Sequence, residues 1–320
     1  MDWHLLWASP LLQPAWLIAL AMLIESVWRW PEKIHPLTFF RFIALRLARR
    51  VNRAEQRSIQ QNRIAGVLAP ALLIAPLSIC LWLFLELVYF RWFFEGLILI
   101  VAIHFNPHFT RYKRIVDLAQ KQQKLLGRDY LQHFVLRDVT QLSPLGIGKA
   151  AMEGNVLRFY YQVAIPLFWY FLLGPIAAIS ARLLYECVQV WSLKHRQYKQ
   201  FGLPVAACFR WLGFVPRLYT SFVLSLFYRP WHTLPEWLRS LSSQSRDAIL
   251  RITAKAISAE LGGPAMYEGK KWRFQRWNQI FPTRVGHMAI MQQYIQGAKA
   301  ILVVNYMLLA VLSYGLMRLA

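Results

Sequence analysis

Apolar windows recur along this chain of 320 residues, and most are long enough to cross the hydrocarbon layer of a membrane. A spanning helix needs about 20 mostly apolar residues. The windows are residues 11–28, 64–90, 92–105, 159–180, 203–228 and 300–317. The sequence therefore predicts an all-α, multi-pass integral membrane protein with about five or six hydrophobic spans and helical cytoplasmic segments.

The composition supports a membrane protein over a soluble one. Apolar residues make up 57% of the chain and charged residues 16%, whereas soluble domains average about 45–50% and 25%. So few polar residues cannot cover the surface of a soluble fold of this length. We therefore expect lipid to cover part of the surface.

Two windows are unusual. The window 92–105 is short, so we expect it to be re-entrant or tilted against the preceding span. The window 203–228 contains Arg210, Gly213, Pro216 and Arg217. Two arginines and a proline at membrane depth require protein or water around them.

The charged residues set the predicted orientation. The chain has 37 Lys and Arg against 15 Asp and Glu, a net charge of +22. Because basic loops stay in the cytoplasm, residues 29–63, 111–149 and 229–299 are predicted to be cytoplasmic in a bacterial inner membrane. This bias and contact with anionic lipids explain the charge, so the lipid bilayer is an expected partner and nucleic acid is not. Basic residues 194–199 fit the alternation poorly, which leaves open whether the fourth and fifth windows form a buried hairpin.

Acidic residues within or beside the spans are candidates for paired or functional groups. Glu25 and Glu95 lie near span ends, whereas Glu86 lies deeper and needs a partner, either Arg91 or an arginine of another span. No Walker-type or dinucleotide-binding glycine motif occurs in the sequence.

Short motifs in a fixed order resemble the CobD/CbiB family of cobalamin-biosynthesis membrane proteins, and more distantly the AmpE proteins. The motifs are residues 25–37 (ESVWRWPEKIHPL), 127–129 (GRD), 136–142 (LRDVTQL), 150–155 (AAMEGN), 164–169 (AIPLFW), 198–202 (YKQFG), 211–218 (WLGFVPRL) and 261–269 (LGGPAMYEG). Together they cover nearly the whole chain, so residues 1–320 are predicted to form a single domain of this type. Within it, residues 229–299 can form a cytoplasmic helical subdomain, with a helix expected over 242–259.

The resemblance implies an enzyme of the ligase type, an adenosylcobinamide-phosphate synthase. It would join adenosylcobyric acid, a corrinoid substrate, to aminopropanol or its O-phosphate through an amide bond. ATP and Mg²⁺ are implied as cofactors. The matching positions suggest the residues of a site. The expected catalytic residues are Asp138, Glu153 and Asn155, of which Asp138 and Glu153 are also expected to bind the metal ion. The residues expected to bind substrate are His35, Arg137, Gly262, Gly263 and Tyr267.

The sequence also departs from the family pattern. The family's Asn-Thr-Leu-Asp-Ser stretch falls on residues 185–189 (YECVQ), and the acidic pair expected before Trp211 is replaced by residues 208–210 (CFR). AmpE-type relatives lack these polar elements too. A non-catalytic regulatory or sensory membrane protein therefore remains the alternative to the synthase.

Overall fold

The computed structural model describes residues 12–28, 30–52 and 58–319, so Leu11 of the first predicted window lies outside the described residues. The helices are α1 Gln13–Val27, α2 Pro36–Val51, α3 Ile59–Leu87, α4 Arg91–Ala102, α5 Asn106–Gln120, α6 Lys124–Gln132, α7 Pro144–Phe159, α8 Ile165–Leu173, α9 Pro175–Val190, α10 Gly202–Leu212, α11 Phe214–Phe227, α12 Pro230–Arg239, α13 Ser245–Ala256 and α14 Gly286–Leu319. A π-helical turn, Tyr160–Ala164, joins α7 to α8. The strands are β1 Leu261–Gly262, β2 Ala265–Tyr267, β3 Lys270–Trp272 and β4 Arg276–Trp277.

The predicted all-α, multi-pass architecture is confirmed. Four helical stretches are long and apolar enough to cross a membrane, namely Ile59–Leu87, Arg91–Gln120, Pro144–Leu173 and Gly286–Met317. Gln13–Val27, Gly202–Leu212 and Phe214–Phe227 are shorter apolar helices. Every predicted window thus falls on an apolar helix, although some of these helices are too short to cross alone.

Polar residues at the helix ends explain where two of the long helices begin. Ser58 and Gln61 form a capping box at the start of α3, in which each side chain satisfies a backbone N–H. Ser143 accepts a hydrogen bond from Gly146 N–H, and Pro144 occupies the first position of α7. The Ser143 cap and Pro144 fix the start of α7, which carries Glu153 and Asn155.

The window 159–180 does not cross as one helix, which corrects that prediction. Gly174 separates α8 from α9 with φ +80°, a backbone conformation that favours glycine. The chain reverses there, because Tyr161 and Tyr185 lie at similar distances from Gly174 in sequence and their rings stack at 5.4 Å. The helix α9 then packs against α2, α3, α4, α8 and α10, which places it at the centre of the bundle.

The interrupted window 203–228 forms two short helices that meet at Gly213. Arg217 is almost fully buried on α11. Its guanidinium group donates hydrogen bonds to the carbonyl oxygens of Ser240, Leu241 and Ser243, which follow the end of α12. The C-terminal end of a helix carries partial negative charge, so this contact satisfies the buried cation. The expectation that these arginines need protein around them holds for Arg217.

Ion pairs join the membrane helices at the predicted acidic residues. Glu25 Oε2 lies 2.7 Å from Lys299 Nζ, which links α1 to α14. Glu86 pairs with Arg91 at 3.0 Å, and Arg91 also pairs with Glu95 at 2.9 Å. Of the partners expected for Glu86, Arg91 is confirmed, but Glu86 is the last residue but one of α3 and is about half exposed, so the expectation that it lies deeper is wrong.

Residues 229–299 contain α12, α13, the four strands and the start of α14. The helix expected over 242–259 is present as α13. The strands form two antiparallel pairs, β1 with β4 and β2 with β3, which the sequence analysis did not predict. Each strand has only two or three residues, too few for an alternating apolar pattern to show.

Candidate functional site

A basic cavity of about 390 Å³ lies where α7, α9 and α10 meet α13 and the β2–β3 hairpin. Glu153 is the one carboxylate among the described residues that line it. Cationic side chains surround that group, namely Arg137, Arg158, Lys194, Arg210 and Arg246. A cleft lined by one sign of charge concentrates ligands of the opposite sign. The cavity is therefore suited to an anionic ligand.

Glu153 lies on the buried face of α7, between two arginines and a backbone amide. Its Oε1 accepts a hydrogen bond from Gly262 N–H at 2.8 Å. Its Oε2 lies 3.6 Å from Arg137 Nη2 and 3.7 Å from Arg246 Nη2. Two guanidinium groups share the Glu153 carboxylate, and Arg246 Nη1 also pairs with Asp247 Oδ1 at 3.2 Å. The other cations of the lining keep the cavity positively charged. Each guanidinium has five N–H donors, which leaves donors available to a ligand.

Gly262 reaches Glu153 because of its backbone conformation. Its φ is +82°, and a Cβ added there would lie 2.1 Å from the carbonyl oxygen of Gln275. A side chain at this position is therefore excluded by both conformation and space. Gly263 follows with φ +104°, and a Cβ there would contact the side chains of Arg276 and Lys149.

Aromatic rings complete the cavity wall. Tyr161 and Tyr185 stack at 5.4 Å, and Trp272 and Phe274 stack at 6.3 Å. The guanidinium of Arg246 lies 4.0 Å from the centre of the Phe274 ring. The cavity thus combines cations with flat apolar faces, a lining that fits a ligand with both an anionic group and a conjugated or apolar part.

Arg158 is held by the protein itself. It donates to the carbonyl oxygen of Phe134 at 2.7 Å and contacts the ring nitrogens of His108. Its guanidinium also lies 4.8 Å from the centre of the Phe134 ring. Arg137 and Arg246 are therefore better placed than Arg158 to bind a ligand.

The structure brings together some of the predicted site residues. Arg137, Glu153 and Tyr267 line the basic cavity, and Gly262 contacts Glu153. Asp138 lines a neighbouring cavity of about 460 Å³, where its Oδ2 accepts a hydrogen bond from Gly269 N–H at 3.2 Å. The roles predicted for these residues stay predictions.

Asn155 and His35 lie away from the lining of the basic cavity. The Asn155 side chain is fully buried, and neither of its polar atoms forms a hydrogen bond within the described part of the chain. His35 is buried, accepts a hydrogen bond from Leu37 N–H at the start of α2 and stacks on His104 at 3.8 Å. Burial, with a smaller contribution from the charges of Arg182 and Arg41, lowers the pKa of His35 to about 4. His35 is therefore neutral at neutral pH.

The side chains present do not fit a Mg²⁺ ion shared by Asp138 and Glu153. The two carboxylates line different cavities, and Glu153 already faces two arginines. Within residues 12–28, 30–52 and 58–319, no group of three or more His, Cys, Asp or Glu side chains could hold a metal ion. Mg²⁺ prefers a near-octahedral set of oxygen ligands. The cationic lining, by contrast, fits the phosphate groups of a ligand such as ATP.

Several cavity residues do not belong to the motifs that predict a site. Lys194, Arg210 and Arg246 line the cavity, yet the motif order does not single them out. A signal does exist for two of them, because Lys194 and Arg210 are cations where the predicted topology accommodates them poorly. Lys194 lies at the same cavity as Arg137 and Arg246, which supports the buried-hairpin alternative for the fourth and fifth windows.

Comparison with known proteins gives consistent matches over most of the chain. The family model described as CobD/Cbib protein matches residues 18–294. A protein of Stutzerimonas stutzeri named Cobalamin biosynthesis protein CobD is 25% identical over 253 residues, covering 78% of this chain and 82% of the relative. Proteins of the same name from Chromobacterium violaceum (26% over 270 residues, 80% and 83% covered) and Leptospira interrogans (23% over 268 residues, 79% and 84% covered) also match. No solved structure matches significantly.

Proposed function

The chain belongs to the CobD/CbiB family, and from this membership we propose that it acts in cobalamin biosynthesis. The match over residues 18–294 carries the proposal, because it includes the whole of the basic cavity. The relatives from Stutzerimonas stutzeri and Chromobacterium violaceum carry a name from the same pathway and align over about four fifths of this chain.

The proposed reaction forms an amide bond. The carboxyl group of adenosylcobyric acid is joined to the amine of aminopropanol or its O-phosphate, which gives adenosylcobinamide or its phosphate. ATP, whose phosphate groups Arg137 and Arg246 would hold, would supply the phosphoryl group that activates the carboxyl, with ADP and phosphate as the released products. The carboxylate of adenosylcobyric acid and the phosphate of aminopropanol O-phosphate are anionic groups that suit the cationic lining of the cavity, and its aromatic rings suit a flat conjugated ligand.

Three side chains have proposed roles in binding and proton transfer. Arg137 and Arg246 bind the anionic group of a substrate through the N–H donors that Glu153 leaves available. Glu153 accepts the proton that the amine loses as the new C–N bond forms. Arg137 and Arg246 flank Glu153 on one side and Gly262 N–H binds it on the other, so its carboxylate is held in one orientation.

Complementation tests this proposal. The chain is expressed in a corrinoid-producing host that lacks its own synthase, and adenosylcobinamide and its phosphate are measured by mass spectrometry. We expect the wild type to restore product, and we expect Glu153→Ala to reduce product per amount of protein in the membrane by more than about 100-fold, since transition-state stabilisation of several kcal/mol is lost. Asp117→Ala is the matched control, because Asp117 pairs with Arg114 and Lys121 on the exposed face of α5. Wild-type protein that is present in the membrane but forms no product would contradict the proposal.

A regulatory, AmpE-like function is the second candidate, and the composition of the cavity favours it. Positions 185–189 and 208–210, where the family pattern has acidic and amide residues, contribute Tyr185, Val188, Gln189, Phe209 and Arg210 to the lining. A catalytic site that has lost these groups can still bind an anion. Under this function the wild type forms no cobinamide in the complementation experiment, whereas deletion of its gene changes a cellular response without corrinoid auxotrophy.

A further inference from the structure

Two neighbouring residues of the segment 191–201 contact two neighbouring residues of the β2–β3 hairpin. Lys194 Nζ lies 4.4 Å from the centre of the Tyr267 ring. One residue further along each segment, His195 Nδ1 lies 2.7 Å from Glu268 Oε1. Lys194 and Tyr267 line the basic cavity, whereas His195 is half-buried and Glu268 is exposed to solvent. An outer hydrogen bond between His195 and Glu268 thus lies beside an inner cation–π contact.

Glu268 makes more than one contact across this junction. Its Oε2 accepts a hydrogen bond from Arg196 N–H at 3.1 Å, in addition to the contact of Oε1 with His195. The hydrogen bond from His195, followed by that from Arg196 N–H, lowers the pKa of the Glu268 carboxyl below its usual range. The side chain is therefore ionised at neutral pH and holds two consecutive residues of the opposing segment.

The hairpin presents Glu268 through an unusual turn. Glu268 and Gly269 both have positive φ, at +47° and +72°. Hairpins with such turns usually have Asn or Asp rather than Glu at the first position. Asp138 supports the turn from the other side, because its Oδ2 accepts from Gly269 N–H and its own N–H donates to the carbonyl oxygen of Met266.

We propose that the 191–201 segment and the β2–β3 hairpin form a clasp over the basic cavity, in which Glu268 is a positioning residue and Lys194 is the cation that meets an anionic ligand. This proposal rests on the proposed function, since it concerns the same cavity. Lys194 exchanges the Tyr267 ring for a phosphate or carboxylate group of the ligand, a stronger partner for an ammonium ion than an aromatic face. Glu268 keeps the segment in place while that exchange occurs.

A cysteine inside the cavity measures the clasp without requiring catalysis. Gln189→Cys is introduced into full-length protein in which the exposed Cys80 and Cys208 are changed to Ser, while the buried Cys187 is kept. The rate of labelling by an uncharged methanethiosulfonate reagent is measured, with and without inorganic pyrophosphate as the probe ligand. Lys271→Gln is the matched control, because Lys271 lies on the same hairpin but lines the neighbouring cavity.

Each variant tests one part of the clasp. We expect Glu268→Ala to raise the labelling rate by about fivefold or more, because the hairpin is released, and Lys194→Gln to weaken protection by pyrophosphate about tenfold with little change in the unprotected rate. Lys271→Gln should behave as the parent in both measurements. Unchanged labelling in Glu268→Ala, or unchanged protection in Lys194→Gln, overturns the proposal. Neither labelling measurement depends on product formation. If the protein forms no cobinamide but shows both labelling effects, the synthase proposal is contradicted and the clasp proposal is supported.

Discussion

The backbone N–H of Gly262 donates a hydrogen bond to Glu153 Oε1 at 2.8 Å, across a separation of 109 residues. The contact joins β1 to the middle of α7, and it fixes the carboxylate between Arg137 and Arg246. A buried carboxylate without such partners would be strongly destabilising. The Glu153 side chain therefore both holds β1 in position and supplies the negative charge between the two arginines of the cavity.

This coupling predicts different stabilities for two variants of Glu153. Glu153→Gln keeps an oxygen acceptor for Gly262 N–H but leaves Arg137 without its anion, whereas Arg246 keeps its pair with Asp247, so we expect a loss of about 1–3 kcal/mol. Glu153→Ala also removes the acceptor, and we expect about 3–5 kcal/mol. Equilibrium unfolding of the detergent-solubilised protein measures both values. Equal stabilities for the two variants would show that the hydrogen bond from Gly262 contributes nothing.

Gly262 itself should be less replaceable than another glycine with positive φ. Gly262→Ala combines an unfavourable φ of +82° with a clash against the Gln275 carbonyl oxygen, whereas a Cβ at Gly269 meets no atom within 4 Å. We expect Gly269→Ala to lose about 1–2 kcal/mol from backbone conformation alone, and Gly262→Ala to lose more and to move β1 away from Glu153. Thermal unfolding of the two variants measures both losses of stability. Similar losses would argue against the close approach between Gly262 and the Gln275 carbonyl oxygen.

The pair of Glu25 and Lys299 should stabilise the bundle more than an exposed pair does. Glu25 is buried, contacts Lys299 Nζ at 2.7 Å and accepts from Phe105 N–H at 3.2 Å. Glu25→Gln leaves a largely buried ammonium without its anion, which typically costs about 3–5 kcal/mol. Glu86→Gln at the exposed pair with Arg91 should cost about 0–1 kcal/mol. A double-mutant cycle with Lys299→Met should recover part of the loss at Glu25.

Sequence reasoning predicted the helical membrane architecture because hydrophobic length and composition are local properties. It also predicted the partner of Glu86, since Arg91 is only five residues away. It did not predict the reversal at Gly174, although the Gly174–Pro175 dipeptide is a local turn signal, because the apolar run on both sides of it reads as one span. The cavity depends on contacts between residues far apart in the chain, such as Glu153 with Gly262. Family motifs indicated some of these residues, but no periodicity could have indicated Lys194 or Arg246.

The placement of Lys194 allows a topology prediction for a segment that charge counting left open. Lys194 lines the same cavity as Arg137 and Arg246, so a reporter fused after Arg196 should read the same side as fusions after Arg128 and Arg251. The positive-inside rule places all three in the cytoplasm. Alkaline phosphatase and fluorescent-protein fusions at these positions check the prediction. If the Arg196 and Arg128 fusions report opposite sides of the membrane, Lys194 and Arg137 cannot line the same cavity.

Asp138 offers the sharpest separation of a catalytic role from a positioning role. Its carboxylate accepts a hydrogen bond from Gly269 N–H, and Asn can supply an oxygen acceptor in the same place. If Asp138 positions the hairpin, Asp138→Asn should keep product formation within about tenfold of the wild type, whereas Asp138→Ala should lower it further and raise labelling of a cysteine at position 189. If Asp138 binds a metal ion or transfers a proton, both variants should lose more than about 100-fold, because Asn supplies neither charge nor a titrating group. Product formation by both variants in the complementing host, normalised to protein in the membrane, therefore decides which role this residue has.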